Sequence, residues 1–158
     1  MQRVKLDHID RRILSDLQNN GRMTNVELAQ RVGISAPPCL RRVRALEKAG
    51  YIEGYHAKIN GSHLDYKEMF FALVGLNSQA QNVLQGFEIR MKAWPEIREC
   101  HMIRGGGDFL LKIVAKDKQQ RDTITMEITK APHVSTVTTF ETIRTAKELS
   151  GIPMDEVW

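Results

Sequence analysis

The amino-acid sequence predicts an α+β protein: a three-helix helix-turn-helix (winged-helix-like) domain followed by a βαββαβ, ferredoxin-like domain. Two observations predict this order. Apolar residues recur at helical spacing up to residue 50, whereas extended apolar segments alternate with amphipathic helices from residue 69. The polar, turn-prone segment 60–63 separates the two patterns. We therefore expect one domain at 1–60 and a second at 61–158, which includes the C-terminal tail.

The first predicted helix begins after Asp7, a residue type favoured at helix N-caps, and ends at Asn20-Gly21. The residues expected on its buried face are Ile9, Ile13, Leu14 and Leu17. This helix completes the shared apolar centre of a minimal three-helix domain.

The second helix is predicted to begin at Thr24, because Thr24 and Glu27 have the spacing of a capping box. Gly33 is expected to end it, since glycine tolerates the positive φ that helix C-termini often require. The residues expected on its apolar side are Val26, Leu28, Ala29 and Val32. Residues 24–50 thus form two short helices joined by a tight turn.

The third helix carries the most informative pattern. Ser35 is predicted to cap it, and the Pro37-Pro38 pair fits its first turn, where a missing N–H costs little. At 100° per residue, its apolar arc holds Cys39, Leu40, Val43 and Leu46, and the opposite arc is mainly cationic. A basic helix alone is often only a solvated face. A basic helix placed after a capped helix and a glycine turn is typical of insertion into the DNA major groove.

The candidate DNA-binding residues lie at the starts of the second and third helices and along the cationic arc. They are Thr24, Asn25, Ser35, Pro38, Arg41, Arg42, Arg44 and Lys48. We expect Arg41 and Arg42 to contact base edges, and Arg44 and Lys48 to contact phosphates. Residues 1–60 hold 11 Lys/Arg against 6 Asp/Glu, a net +5, while the remaining residues hold 12 against 13, a net −1. The excess positive charge therefore accompanies the basic helix.

The segment 51–59 changes from helical to extended patterning. It could be a wing of the DNA-binding domain or a strand that leads to the next domain, and the sequence leaves both open.

The second domain shows the order strand, helix, strand, strand, helix, strand. The predicted strands span 69–76, 97–103, 109–115 and 134–143, and the glycine-rich segment 104–108 forms a hairpin turn. One helix carries Val83, Phe87, Met91 and Trp94 at helical spacing before Pro95, and the other spans about 118–130. This order is that of the split βαβ unit.

Two of these strands are apolar on both faces. In the strand 69–76, successive side chains point to opposite faces, and both faces are apolar. In the strand 109–115, Lys112 alone interrupts the two apolar faces. Two helices cover one face of such a sheet, so the other face would leave an apolar patch in water. We therefore expect a two-fold homodimer formed through this face, which would also present two DNA-binding helices.

Composition excludes several classes of protein. No apolar run approaches the length of a membrane span, and the N-terminus lacks the pattern of a signal peptide, so we expect a cytoplasmic protein without membrane association. The two cysteines, Cys39 and Cys100, are expected to be reduced and buried, and they lack the companion ligands of a zinc site. We expect no cofactor.

Three blocks of sequence resemble the Lrp/AsnC family of feast/famine transcriptional regulators, up to about residue 148. They are LDHIDRRILSDLQNNGRMTNVELAQRVGIS at 6–35, PPCLRRVRALEKAGYIEGYHAKIN at 37–60 and ECHMIRGGGDFLLK at 99–112. The resemblance implies a DNA-binding domain, a linker strand and a C-terminal domain that senses amino acids such as leucine. It also implies dimers, assembled further into octamers or other rings, that wrap double-stranded DNA.

The turn at 104–108 departs from the family pattern. The family commonly has Gly-Asp-aromatic-Asp there, and this chain has Gly105-Gly106-Gly107-Asp108. Asp108 could hold a ligand ammonium group while glycine N–H groups cradle a carboxylate, or the glycines could serve only the turn. The candidate effector-binding residues are Gly105, Gly106, Gly107 and Asp108, with Thr136, Thr138 and Thr139 on the last strand.

Two other functions are weighed against a ligand-sensing regulator. An architectural protein would bend or wrap DNA without a ligand, which the altered turn favours. An enzyme would need an acid/base cluster, for which Glu99, His101 and Asp108 are the only candidates. The sequence contains no nucleophile motif or phosphate loop to accompany them. The sequence assigns no role to the tail after Leu149, where Trp158 either packs on a neighbouring subunit or lies free.

Overall fold

The structure is a computed structural model that describes residues 5–149 and 151–154. It forms two compact units. One holds residues 5–58, 147–149 and 151–154, and the other holds Ile59–Ala146. Trp158, for which the alternatives were packing on a neighbouring subunit or lying free, falls outside the described residues. The domain limits 1–60 and 61–158 stay a prediction, but the described part of the tail groups with the helical unit, whereas the sequence grouped it with the sheet.

The helical unit contains the three predicted helices, α1 (His8–Asn19), α2 (Asn25–Val32) and α3 (Ala36–Lys48). Asp7 caps α1 and Thr24 caps α2, each within a capping box. Its core is formed by Ile13, Leu28, Ala29, Val32, Cys39 and Leu46, with Ile9, Leu14, Leu17, Ile34 and Val43 packed around them. The helix-turn-helix prediction is confirmed.

Two residues predicted to be buried lie in solvent. Val26 is 57% exposed and Leu40 is 38% exposed. At 100° per residue, each lies roughly 110° from the centre of the arc that its helix buries. The buried arcs are narrower than the apolar arcs that the sequence predicts, because not every apolar residue near an arc belongs to the core.

The segment after α3 has no regular secondary structure. Residues 51–60 form neither a strand nor a wing hairpin with any other described residue, and a short 3₁₀ helix, Gly61–Leu64, follows. The Tyr55 hydroxyl donates a hydrogen bond to Glu47 Oε1 at 3.0 Å. Partial burial, and then this carboxylate, raise the pKa of Tyr55 to about 12. The segment is therefore fastened to the last turn of α3.

Two residues of the described tail, Glu148 and Ile152, form polar contacts within the helical unit. Lys58 pairs with Glu148 at 2.8 Å. The Gln18 side-chain amide donates to the Ile152 carbonyl at 2.7 Å and accepts from its N–H at 3.1 Å. Gly151 has a φ of +80°, and a Cβ there would collide with Gln18. A glycine is thus required for this approach.

The second unit is a four-stranded antiparallel sheet with two helices. Its elements are β1 (Glu68–Leu76), α4 (Gln81–Lys92), β2 (Ile97–Met102), β3 (Phe109–Ala115), α5 (Lys118–Thr129) and β4 (Val134–Glu141). The spatial order is β2-β3-β1-β4. This is the predicted ferredoxin-like arrangement, and the strand and helix predictions are confirmed with ends shifted by one or two residues.

The core of this unit lies between the sheet and its helices. It contains the alternate residues Phe70, Ala72, Val74 and Leu76 of β1 and Phe109, Leu111, Ile113 and Ala115 of β3, with Phe87, Met91, Ile124 and Ile128 from the helices. The rings of Phe87 and Phe109 lie 4.7 Å apart between centroids. Among the described residues, no helix is both long and apolar enough to cross a bilayer.

Candidate nucleic-acid interface and effector region

The turn between α2 and α3 is fixed by backbone geometry. Gly33 adopts φ +74°, and the Ile34 N–H donates to the Ala29 carbonyl at 3.0 Å. The Asn25 side-chain amide donates to the Ala36 carbonyl at 2.8 Å, joining the start of α2 to the start of α3. These bonds hold α3 at a defined angle to α2.

The outward face of α3 is a cationic surface that no described acidic residue neutralises. Arg41, Arg44 and Lys48 are all exposed, and none forms an ion pair with the acidic residues in 5–149 or 151–154. Ser35 occupies the N-cap position, but its hydroxyl makes no capping bond, so the predicted cap is positional only. Pro38 lies half-buried in the first turn. This surface can meet a polyanion without first breaking internal contacts.

Arg42 behaves differently from its neighbours. Its Nη1 atom lies 2.7 Å from Asp10 Oδ1 and 2.8 Å from Asp7 Oδ2, and its side chain is 33% exposed. The hydrogen bonds to Asp10 and then Asp7 raise the pKa of Arg42. The backbone N–H of Asp10, and to a lesser extent Arg42, lower the pKa of Asp7. The same two carboxylates form the capping box of α1, so Arg42 fastens α3 to the beginning of α1.

Thr24 and Asn25 are also used inside the domain. The Thr24 hydroxyl donates to Glu27 Oε2 at 2.7 Å and accepts from the Glu27 N–H at 3.2 Å. The pKa of Glu27 is lowered, first by the hydrogen bond from the Thr24 backbone N–H. These side chains fix the start of α2, which leaves its first-turn backbone as the part available to a phosphate.

The glycine turn between β2 and β3 is shaped by its neighbours. Gly105 adopts φ +143°, and a Cβ on Gly107 would lie 2.9 Å from a Leu73 methyl. The φ of Gly105 therefore favours glycine, and a side chain at position 107 would have to displace the Leu73 side chain. A Cβ on Gly106 would lie 3.8 Å from Leu73, an ordinary contact.

Asp108 is engaged within the sheet unit. Its carboxylate accepts the Leu76 N–H at 2.6 Å and the Gln79 side-chain amide at 2.5 Å. These contacts tie the turn to the end of β1. A ligand ammonium group would have to share a carboxylate that already accepts two hydrogen bonds.

The three threonines of β4 divide between the faces of the sheet. Thr136 pairs with Gly75 and Thr138 with Leu73, on the face opposite the helices. This places them across β1 from the glycine turn, at the same end of the sheet. Thr139 pairs with Ala72 on the helix side and lines a separate cavity beside α5. The structure thus groups two of the three threonines with the turn.

The cluster considered for catalysis is an ion-pair cluster on the open face of the sheet. Glu99 lies 3.0 Å from Lys112 Nζ and 3.1 Å from His101 Nε2. The hydrogen bonds from His101 and then Lys112 lower the pKa of Glu99. No hydrogen bond or ion pair in the described part of the chain joins Asp108 to these residues. Nor does that part contain three His, Cys, Asp or Glu side chains placed to bind a metal ion.

The pairing of Arg42 with α1 is not among the sequence predictions. Two signals for it exist in the sequence, because Arg42 lies on the flank between the apolar and cationic arcs and Asp7 is the predicted α1 cap. The role of Asp108 is also not among the sequence predictions. Nothing in the local sequence shows that the end of β1 lies beside this turn.

We predict that Arg42→Ala lowers the free energy of unfolding by about 1–2 kcal/mol, the lower part of the range for hydrogen bonds to charged groups, because the guanidinium is partly solvated. The Asp10 N–H and, to a lesser extent, Arg42 hold the pKa of Asp7 in the folded state below 3.8, so the part of the contribution that runs through Asp7 is present above pH 3.8 and is lost as the pH falls through the folded-state pKa. Urea unfolding from pH 7 to pH 2.5 measures it.

Arg41→Ala is the matched control, since Arg41 is exposed on the same helix without a partner among the described residues. It should change stability by less than about 0.5 kcal/mol. Equal losses for the two variants would contradict the assignment of Arg42 to the α1–α3 contact.

Two family models match the chain. Residues 6–53 match the winged helix-turn-helix DNA-binding model, and residues 69–152 match the Lrp/AsnC ligand binding domain, more than half of the chain. The first match covers α1 to α3, and the second covers nearly the whole sheet unit and the described tail.

Similar proteins agree with these models. A leucine-responsive regulatory protein of Rhizobium meliloti is 51% identical over 92% of this chain and 94% of its own length. One from Escherichia coli is 40% identical over 90% of this chain and 88% of its own. A transcriptional regulator of Neisseria meningitidis, solved as a complex with L-Met, superposes with a TM-score of 0.90 at 30% identity, covering 98% of this chain and 100% of the other. The chain therefore belongs to the Lrp/AsnC family of DNA-binding transcriptional regulators.

Proposed function

We propose that the chain binds operator DNA through the outward face of α3, as a dimer or an assembly of dimers, and that an amino acid modulates this binding. The observation that carries the proposal is the cationic surface of Arg41, Arg44 and Lys48, which has no ion-pair partner among the described residues and lies on a helix whose opposite side is buried. A rigid basic helix behind a tight turn is the element that enters the major groove in helix-turn-helix proteins.

Each residue at this surface has a proposed role. Arg41 contacts base edges, and Arg44 and Lys48 contact phosphates. Ser35 and Pro38 lie at the start of α3, where the helix first approaches the groove. We assign Thr24 and Asn25 to the phosphates beside α2, through the helix backbone, because their side chains are engaged elsewhere.

Arg42 has a different proposed role. Because its guanidinium is bound by Asp7 and Asp10, we assign it to positioning α3 rather than to base contact. A base contact would require it to break two ion pairs, one of them with the nearly buried Asp10.

Dimerisation is proposed through the sheet face that the helices leave uncovered. Met69, Phe71 and Leu73 of β1 lie there beside Leu110 and Val114 of β3. A second copy would bury these side chains and place a second α3 for a second half-site. Four such dimers forming an octamer is our proposal for the full assembly.

The proposed effector is a neutral apolar amino acid such as leucine. Its support is the match to the ligand binding domain, the leucine-responsive relatives and the neighbour solved with L-Met. We propose that the backbone N–H groups of Gly105 to Gly107 hold the carboxylate, with Thr136 and Thr138 nearby. Asp108 shapes this site, and Thr139 lies outside it.

The rival function is that of an architectural protein that wraps DNA without a ligand. One observation favours it: the turn carries a single carboxylate, and this already accepts two hydrogen bonds. In either case we propose a cytoplasmic protein that acts on DNA without catalysis and without a cofactor.

We predict that Arg41→Ala weakens binding to a specific operator by about 1–3 kcal/mol and relaxes its sequence preference. Lys48→Ala should instead weaken binding to specific and random duplexes alike. It should also make the slope of log K against log salt shallower by about 0.9, the contribution of one phosphate contact. Fluorescence anisotropy across a salt series separates the two effects. If both variants bound the operator as tightly as the wild type, α3 would not be the DNA-binding helix.

We predict that an apolar amino acid at millimolar concentration raises the melting temperature, because a ligand that binds the folded state stabilises it by mass action. At a ligand concentration one hundred times the Kd, the stabilisation is about 2.7 kcal/mol. Thr138→Val should reduce this shift, while Thr139→Val, on the other face of the sheet, should keep it. No shift with any of the twenty amino acids would favour the architectural protein. If Thr139→Val alone lost the shift in melting temperature, the effector site would lie on the helix side of the sheet.

A further inference from the structure

A second candidate ligand site lies on the helix side of the sheet unit. A cavity of about 300 Å³ separates one stripe of α4 from the Pro132-His133 corner that precedes β4. This volume is at the lower end of the range for small-molecule pockets. It is distinct from the glycine turn, none of whose residues lines it.

The stripe of α4 that faces the cavity consists of Asn82, Gly86 and Arg90, four residues apart. This spacing places all three on one side of the helix. Gly86 is in the middle of the helix, where glycine is the least favourable residue other than proline. A Cβ at Gly86 would meet no atom within 4 Å. Packing among the described residues therefore gives no reason for a glycine, and its effect is to widen the cavity.

The polar side chains of this stripe are uncommitted. Arg90 has no hydrogen bond or ion pair within 5–149 or 151–154, and the same is true of the Asn82 amide. A cation in the last turn is favoured by the helix dipole, but here it also lines the cavity. No Asp or Glu lines the cavity. The site therefore offers positive charge and amide hydrogen bonds, with no anion for an ammonium group.

The opposite wall is held in an uncommon conformation. His133 has φ +67°, which is unusual for a residue other than glycine. Its carbonyl accepts the Asn77 N–H at 2.9 Å, and its Nδ1 lies 3.2 Å from Asn77 Oδ1. The loop after β1 thus fixes this corner in place. Strained residues of this kind are found preferentially at ligand sites.

We propose that this cavity binds a small aliphatic monocarboxylate. The carboxylate pairs with Arg90 and accepts from the Asn82 amide, while the aliphatic part lies against Val83, Phe87 and Pro132. Ligands with an ammonium group are disfavoured because nothing in the cavity neutralises it. The proposal is independent of the amino-acid site at the glycine turn, and either can fail without the other.

Calorimetric titration of the full chain with isovalerate tests the proposal. One isovalerate should bind per chain, and isoamyl alcohol and isoamylamine, which share the carbon skeleton without the carboxylate, should not bind. Arg90→Gln should weaken binding at least tenfold. Lys92→Gln is the control, because Lys92 is an exposed cation on the same helix outside the cavity. This variant should bind isovalerate as tightly as the wild type does.

Gly86→Leu gives the decisive variant. Leucine should raise the melting temperature, since it is a much better helix former than glycine, and yet abolish isovalerate binding, because its side chain occupies the space of the ligand's aliphatic part. A variant that is more stable but does not bind cannot be explained by misfolding. The proposal is overturned if the wild type gives no binding heat with isovalerate, if Gly86→Leu binds normally, or if Lys92→Gln weakens binding as much as Arg90→Gln.

Discussion

The constraint on which the architecture depends is the second apolar face of the sheet. Phe71 lies between Lys112 of β3 and Phe140 of β4, and Leu73 lies between Leu110 and Thr138. Burying a large apolar side chain is worth about 1.5–3 kcal/mol, so several such side chains left half-exposed represent a substantial unused free energy. In the described part of the sheet unit, both helices pack on the other face. The dimer that we propose follows from this uncovered face, because a second copy would bury it.

Within the helical unit, the same helix uses its arginines in two ways. Arg41 and Arg44 face outward without partners among the described residues, while Arg42 closes an ion-pair cluster with Asp7 and Asp10. A positively charged helix can contact defined DNA positions only if it keeps its place in the domain when it binds a phosphate. The ion pairs to α1, the Asn25–Ala36 bond and the buried Leu46 together supply that rigidity.

The sequence predicted the order of helices and strands well because the signals were local. Capping boxes, the Gly33 turn and the alternation in β1 are each set by residues a few positions apart. Errors arose where three-dimensional context decides. Val26 and Leu40 are apolar but lie off the buried arc, and residues 51–60 have strand-like composition without a strand to pair with. The partners of Arg42 and Asp108 lie 29 to 35 residues away, and no periodicity reveals them.

The most direct test of the account is the solution mass by light scattering of the wild type and of Phe71→Asp, with Ile89→Asp as control. Ile89 is 72% exposed on α4, away from the open face. The account predicts that the wild type and the Ile89 variant have at least twice the mass of one chain, and that Phe71→Asp is a folded monomer with much weaker operator binding. A monomeric wild type, or a Phe71→Asp protein of unchanged mass, would contradict it.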